Sequence, residues 1–108
     1  MPTKSVPADV QEEVARAVER FNKKELARWG RSYVPRFRGG FLFLDRDDGG
    51  GVMPICRLKY TGDMKKWGFA IYKYSSDRYD PEEWFFPGSD LVDGTVEGAM
   101  RAGVRAYE

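Results

Sequence analysis

The stretch Val52-Met53-Pro54-Ile55-Cys56-Arg57-Leu58-Lys59-Tyr60-Thr61 decides the fold class. Successive side chains of an extended strand point to opposite faces, so Cys56, Leu58 and Tyr60 share one side while Ile55, Arg57 and Lys59 share the other. That alternation predicts a strand whose apolar side packs on a core and whose charged side does not. Pro54 cannot donate to a ladder, so the beginning of this strand belongs at a sheet edge or outside the ladder.

Working outward, Thr61-Gly62-Asp63-Met64-Lys65-Lys66 is turn chemistry, and 67–75 alternates again. Trp67, Phe69 and Ile71 lie on one face there, and Ala70, Tyr72 and Tyr74 on the other. Upstream, 37–45 is a short aromatic-rich strand, and Asp47-Asp48-Gly49-Gly50-Gly51 is a turn. Downstream, 76–83 is a polar, acidic connection, and Trp84-Phe85-Phe86 is a short fourth strand or buried extended segment that ends at Pro87-Gly88. Short loops join antiparallel neighbours, so a meander is expected.

Helices flank these strands. Val10, Val14, Ala17, Val18 and Phe21 recur at helical spacing, with Pro7 in the first turn. The helix continues, or kinks at Asn22, through Leu26 to Trp29 and stops at Gly30. A second helix starts near Thr95, a good N-cap, and carries Val96, Ala99, Met100, Gly103, Val104 and Tyr107 in register. Gly103 falls on the apolar stripe, which implies close packing onto the sheet. The expected architecture is α+β and two-layered, α-β-β-β(-β)-α, with a three- to four-stranded antiparallel meander and helices packed on one face. Residues 1–108 form one domain, since domains commonly hold about 100–150 residues.

Composition narrows the chemistry. Histidine is absent, which removes Ser-His, Cys-His and His-metal constellations. The single cysteine, Cys56, excludes an intrachain disulfide and suits a reducing compartment. On its strand Cys56 reads as a small buried hydrophobe, not a nucleophile. Met1-Pro2-Thr3-Lys4-Ser5-Val6-Pro7 lacks the apolar run of a secretory signal, and no stretch has the ~18 apolar residues of a membrane span. A cytoplasmic protein with no membrane partner is expected.

No catalytic, cofactor-binding or metal-binding residues are assigned. Asp45-Arg46-Asp47-Asp48-Gly49 lacks the spacing of a calcium loop and reads as a solvated hairpin turn. Gly39-Gly40 and Gly49-Gly50-Gly51 lack the Lys-Ser/Thr of a phosphate loop and read as turns or bends.

Charge is polarised although the net charge is only +1. Region 16–38 holds eight basic residues against Glu19 and Glu25, and 77–97 holds seven acids against Arg78. Either the two regions pack side by side and offset each other, or one marks a binding face. Lys23, Lys24, Arg28, Arg31, Arg36 and Arg38 are the candidate phosphate contacts.

Sixteen aromatic residues, seven Phe, six Tyr and three Trp, exceed the needs of a two-layer core. Arg57, Lys59, Tyr72, Tyr74 and Trp84 form the candidate interaction surface on the second sheet face, with Phe41 and Phe43 nearby. Stacked aromatics interleaved with cations grip single-stranded nucleic acid, and an open apolar face also suits a protein partner or homodimer. The alternative is that the 84–86 segment and the loop before the first strand cover that face.

Two resemblances bear on this. The helix, three strands, helix order resembles the double-stranded RNA-binding domain, a family that grips phosphates with a lysine-rich start to its last helix. Asp93-Gly94-Thr95-Val96-Glu97 is acidic there, a departure from that motif. The texture of Ile55-Cys56-Arg57-Leu58-Lys59-Tyr60-Thr61-Gly62-Asp63, Trp67-Gly68-Phe69-Ala70-Ile71-Tyr72, Trp84-Phe85-Phe86-Pro87-Gly88 and Gly94-Thr95-Val96-Glu97-Gly98-Ala99 is similar to small bacterial domains of unknown function, over about 36–108. It implies a bacterial origin and no assigned activity.

The leading expectation is a non-enzymatic interaction module acting through protein contact or self-association. The second is a nucleic-acid binder using the 16–38 region. The third is a small-ligand protein or enzyme using carboxylates and tyrosines such as Tyr79, Asp80, Glu83 and Asp90.

Overall fold

The computed structural model describes residues 5–108. The stretch read as lacking a signal lies partly outside them. Helix α1 spans Ala8–Phe21 and buries Val10, Val14, Ala17, Val18 and Phe21, the expected stripe. The chain then widens over Asn22–Leu26, tightens over Ala27–Trp29 and stops at Gly30, whose φ of 67° is left-handed. Asn22 is the cause of the break. Its side chain accepts from the Tyr33 N–H at 2.7 Å and donates to the Tyr33 carbonyl at 3.0 Å, strapping the helix end to the sheet.

Five strands follow in an antiparallel meander: β1 Ser32–Arg38, β2 Phe41–Asp47, β3 Val52–Lys59, β4 Gly68–Lys73 and β5 Arg78–Asp80. Helix α2, Val96–Ala106, closes the order, and Thr95 caps it by accepting from the Gly98 N–H at 3.0 Å. Both helices lie on one face of the sheet and cover Tyr33, Leu42, Leu44, Cys56, Leu58, Phe69 and Ile71. The α+β class and the meander agree with the sequence reading, with five strands in place of three or four.

The differences have local causes. The expected strand over 37–45 is a hairpin: Gly39, at φ 57°, turns the chain and splits it into the end of β1 and the start of β2. The 84–86 segment is not a strand. The fourth hairpin forms earlier, because Asp77 takes a left-handed φ of 54° and returns the supposed acidic connection as β5.

Ile55 was placed on the charged side of β3, yet it is buried. A bulge pairs Leu44 with Cys56 but Asp45 with Pro54, so Ile55 is an extra residue whose methyl group faces Gly103 of α2. Pro54 itself lies where β3 is paired to β2 alone, consistent with the edge position expected of it. Arg46 also departs from its reading as part of a solvated turn. It sits on the core side of β2 opposite Tyr33, and Asp48 takes its guanidinium at 2.9 and 3.3 Å.

Cys56 is fully buried, and burial pushes its thiol pKa well up. A thiol reagent is therefore expected to leave the native protein unmodified and to label it fully in denaturant. Rapid labelling of the folded chain would contradict the packing of β3.

Acid is expected to destabilise the fold. The Thr95 hydroxyl and N–H donate to Asp93, and Lys73 and the Phe85 N–H donate to Glu83, holding both carboxyls below their ordinary values. A carboxyl depressed in the folded state contributes stability above its unfolded pKa and loses it as pH falls through the folded one. Melting temperature should thus be level above about pH 5 and fall below about pH 4. Asp93→Asn and Glu83→Gln together should flatten that fall in a thermal-melt series.

Candidate functional site

Among the described residues, neither helix nor any other element covers the second face of the sheet. Alternation from the buried set puts Arg36 and Arg38 of β1, Phe41 and Phe43 of β2, Arg57 and Lys59 of β3, and Ala70 and Tyr72 of β4 on that face. Tyr79 of β5 pairs with Tyr72 and joins them. The 84–86 segment covers the other side, where Phe86 stacks on Phe69 and Trp84 packs tilted against it, each at 5.9 Å between ring centres. Trp84 is therefore not part of the face to which the sequence reading assigned it.

Strand register converts five separate segments into two rows. Across the sheet, one row reads Arg38, Phe41, Lys59, and the next reads Arg36, Phe43, Arg57. Each phenylalanine is flanked by two cations, and neither row contains an acid. Neighbouring strands are about 4.8 Å apart, so the cations bracketing each ring stand roughly 10 Å apart.

The rings and guanidinium groups contact one another. Arg36 lies over Phe43 at 4.4 Å, and Arg57 lies over Phe41 at 4.6 Å and Tyr79 at 5.4 Å. Ala70 adds no bulk between them, and the sheet curls enough to bring Tyr79 within 5.4 Å of Phe43. Each such contact is worth about 0.5–1 kcal/mol at a partly exposed site. A guanidinium stacked on a ring keeps its N–H donors in the plane of the group, directed sideways and outward. Arg36 uses one on Asp45 at 3.3 Å. Arg38, Arg57 and Lys59 have no carboxylate partner among the described residues.

Tyrosines extend the face toward β5. Tyr72 packs edge-on against Tyr79 at 5.0 Å and against Tyr74 at 4.9 Å. Its hydroxyl donates to Asp77, which pushes its pKa up to about 12. Burial raises that of Tyr79 as well. Both rings stay neutral at ordinary pH, so the face keeps its positive sign. Tyr74 turns around the edge, where its hydroxyl donates to the Pro54 carbonyl at 2.8 Å and its ring meets Tyr107, just past α2, at 5.3 Å.

The candidate phosphate contacts divide. Arg36 and Arg38 reach the open face, whereas Lys23, Lys24 and Arg28 lie on the extension of α1 and Arg31 just before β1, beside the groove between that extension and α2. Lys23 pairs with Glu19 at 3.0 Å and Arg31 with Asp48 at 3.7 Å. Among the described residues no ion pair joins the basic 16–38 region to the acidic 77–97 region, so those two do not offset each other by direct contact. Tyr79, Asp80, Glu83 and Asp90 do not converge. Tyr79 faces the open side, Asp80 binds the Glu82 N–H at 3.0 Å, Glu83 binds Lys73 at 2.9 Å, and Asp90 is exposed on a turn at Ser89–Leu91.

Among the described residues no cluster of side chains suits a metal ion, and no helix is long and apolar enough to cross a membrane. No protein-family model matches the chain, and comparisons with curated proteins and with solved structures find no significant match.

Proposed function

We propose that this chain is a non-enzymatic binding module whose partner is single-stranded nucleic acid, lying across the open face of the sheet. The observation that supports it is the pair of acid-free rows in which cations flank a phenylalanine on a face that neither helix covers. Arg36, Arg38, Arg57 and Lys59 contact phosphates, and the exposed margins of Phe41, Phe43, Tyr72 and Tyr79 accept bases or sugars. Stacking tolerates any base, because every base has a π-face, so little sequence preference accompanies it. The single buried cysteine suits a reducing, cytoplasmic setting.

The test is fluorescence anisotropy with a labelled single-stranded oligonucleotide of mixed sequence over a salt series. Four phosphate contacts give a log–log salt slope near about −3, a loss of roughly 50-fold between ~50 and ~200 mM salt. Absence of binding at ~50 mM salt removes the reading.

A second reading rests on a different feature. Phe85 is 99% exposed and the adjacent Trp84 is 44% exposed, an apolar knob on a loop that offers a protein contact or self-association. Light scattering of the wild-type chain and of Phe85→Ser separates the cases. A dimer that becomes a monomer on substitution supports self-association through the knob, and a wild-type monomer ends it.

A further inference from the structure

The arginines that the sheet face leaves unused gather on the helical side. There the extension of α1 and the last turns of α2 enclose a groove of about 600 Å3. Its inner wall is apolar, made by Phe21, Leu26, Leu91 and Val104. Its exposed margin carries Arg28, Arg101 and Arg105 together with Glu25 and Glu108, and none of the three arginines has a carboxylate within 4.0 Å among the described residues. Trp29 completes the margin, 64% exposed, with the Arg28 guanidinium 5.2 Å from its ring centre. Arg31 also lines the groove but is engaged, by Asp48 at 3.7 Å and by the Glu108 main-chain oxygen at 2.7 Å.

We propose that this groove binds a small organic anion with a flat, apolar body and one acidic head. The body lies on the apolar wall and against Trp29, and a carboxylate or sulfonate sits between Arg101 and Arg105 with Arg28 beside it. Four arginines against Glu25 and Glu108 leave the lining with an excess of positive charge, which a single anionic head offsets. The wall presents no polar side chain, so the inserted part of the ligand has no hydrogen-bonding group to satisfy. The volume falls within the ~300–1,000 Å3 typical of small-molecule sites. Arg101 and Arg105 stand one turn apart on α2, a spacing that lets both reach one carboxylate.

The probe is 2-naphthoate, titrated into the full chain by calorimetry, with the Trp29 indole N–H followed by NMR. One saturable site with a dissociation constant of about 0.1–1 mM is expected, with the Trp29 signal moving in parallel. The uncharged isostere 2-naphthamide should bind at least ~10-fold more weakly to the wild-type chain. Arg101→Gln with Arg105→Gln, both exposed on α2, should weaken naphthoate by a similar factor of about 10, while Arg36→Gln with Arg57→Gln leaves it unchanged. The proposal is overturned by any of three results: no saturation by ~5 mM naphthoate, equal affinity for the amide, or undiminished binding by the Arg101/Arg105 variant.

Discussion

Gly103→Val is expected to unfold the chain, and Gly103→Ala to cost about 2–3 kcal/mol even though alanine is the better helix former by about 1 kcal/mol. The reason is the seat of α2 on the sheet. A Cβ at position 103 would meet the Tyr33 hydroxyl and stand 2.6 Å from Cγ2 of Ile55. Neither neighbour can retreat cheaply. Tyr33 is buried and donates to the Met100 carbonyl at 2.8 Å, and Ile55 is the extra residue of the β3 bulge, also fully buried. Moving Tyr33 leaves its buried hydroxyl without an acceptor, a loss of about 1–3 kcal/mol by itself. Two further methyl groups in valine exceed what a domain with ~5–15 kcal/mol of total stability tolerates. Urea denaturation with circular dichroism reads the effect, and Arg105→Ala in the same helix serves as the control, with a change inside about 0.5 kcal/mol. An alanine variant as stable as wild type would mean that α2 does not pack on Tyr33 and Ile55 as described.

Arg36→Gln combined with Arg57→Gln is expected to reduce oligonucleotide affinity about 25-fold at ~0.1 M salt and to halve the salt slope, from about −3 to about −1.5. The two guanidinium groups supply half of the cations in the two rows, and they flank the same ring, Phe43. Each phosphate contact on a single strand contributes roughly 0.7 to the slope, which sets both numbers. Glutamine keeps much of the aliphatic stem that covers the rings, so the sheet should persist, weakened by about 1–2 kcal/mol of lost cation–π contact. Lys23→Gln with Lys24→Gln removes the same charge from the helical side and should leave both affinity and slope within twofold, about the scatter of such measurements. Equal losses in the two double variants would mean that only net charge matters and that the rows are not the binding surface.

Much of this site was legible before any coordinates. Arg57, Lys59 and Tyr72 share the outward side of their strands because alternation is a property of one strand alone. Phe41 and Phe43 follow by the same rule. What could not be read was β1. Its pattern, Ser-Tyr-Val-Pro-Arg-Phe-Arg, contains a proline and only one fully buried side chain, so it carries little strand signal. It stays in the sheet because β2 pairs with it and Asn22 ties both backbone groups of Tyr33 to the helix end. Without β1, Arg36 and Arg38 read with Lys23 and Lys24 as one basic run. With it, they leave that run and flank phenylalanines from another segment.

Trp84 shows the converse error. An aromatic triplet reads as a strand, since large rings favour extended backbone. Here Glu83 accepts from the Phe85 N–H at 2.8 Å, and Phe69 offers a stacking surface, so the segment forms a loop on the helical side. The competing strand, β5, is three residues long and polar. Its return depends on Asp77 in a left-handed turn and on the Tyr72–Tyr79 contact, neither of which periodicity records.

The alternating stretch around Cys56, Leu58 and Tyr60 determined by itself that one side of β3 is apolar and the other charged, and the apolar stripes of the two helices determined which sides they bury. These are local facts, set by backbone period. Tertiary structure alone decided that Ile55 turns inward at a bulge, that Arg46 is buried against Asp48, and that Arg36, Phe43 and Arg57 stand in one row. Those depend on which residue of one strand meets which residue of the next, and pairing between distant segments leaves no period in either of them.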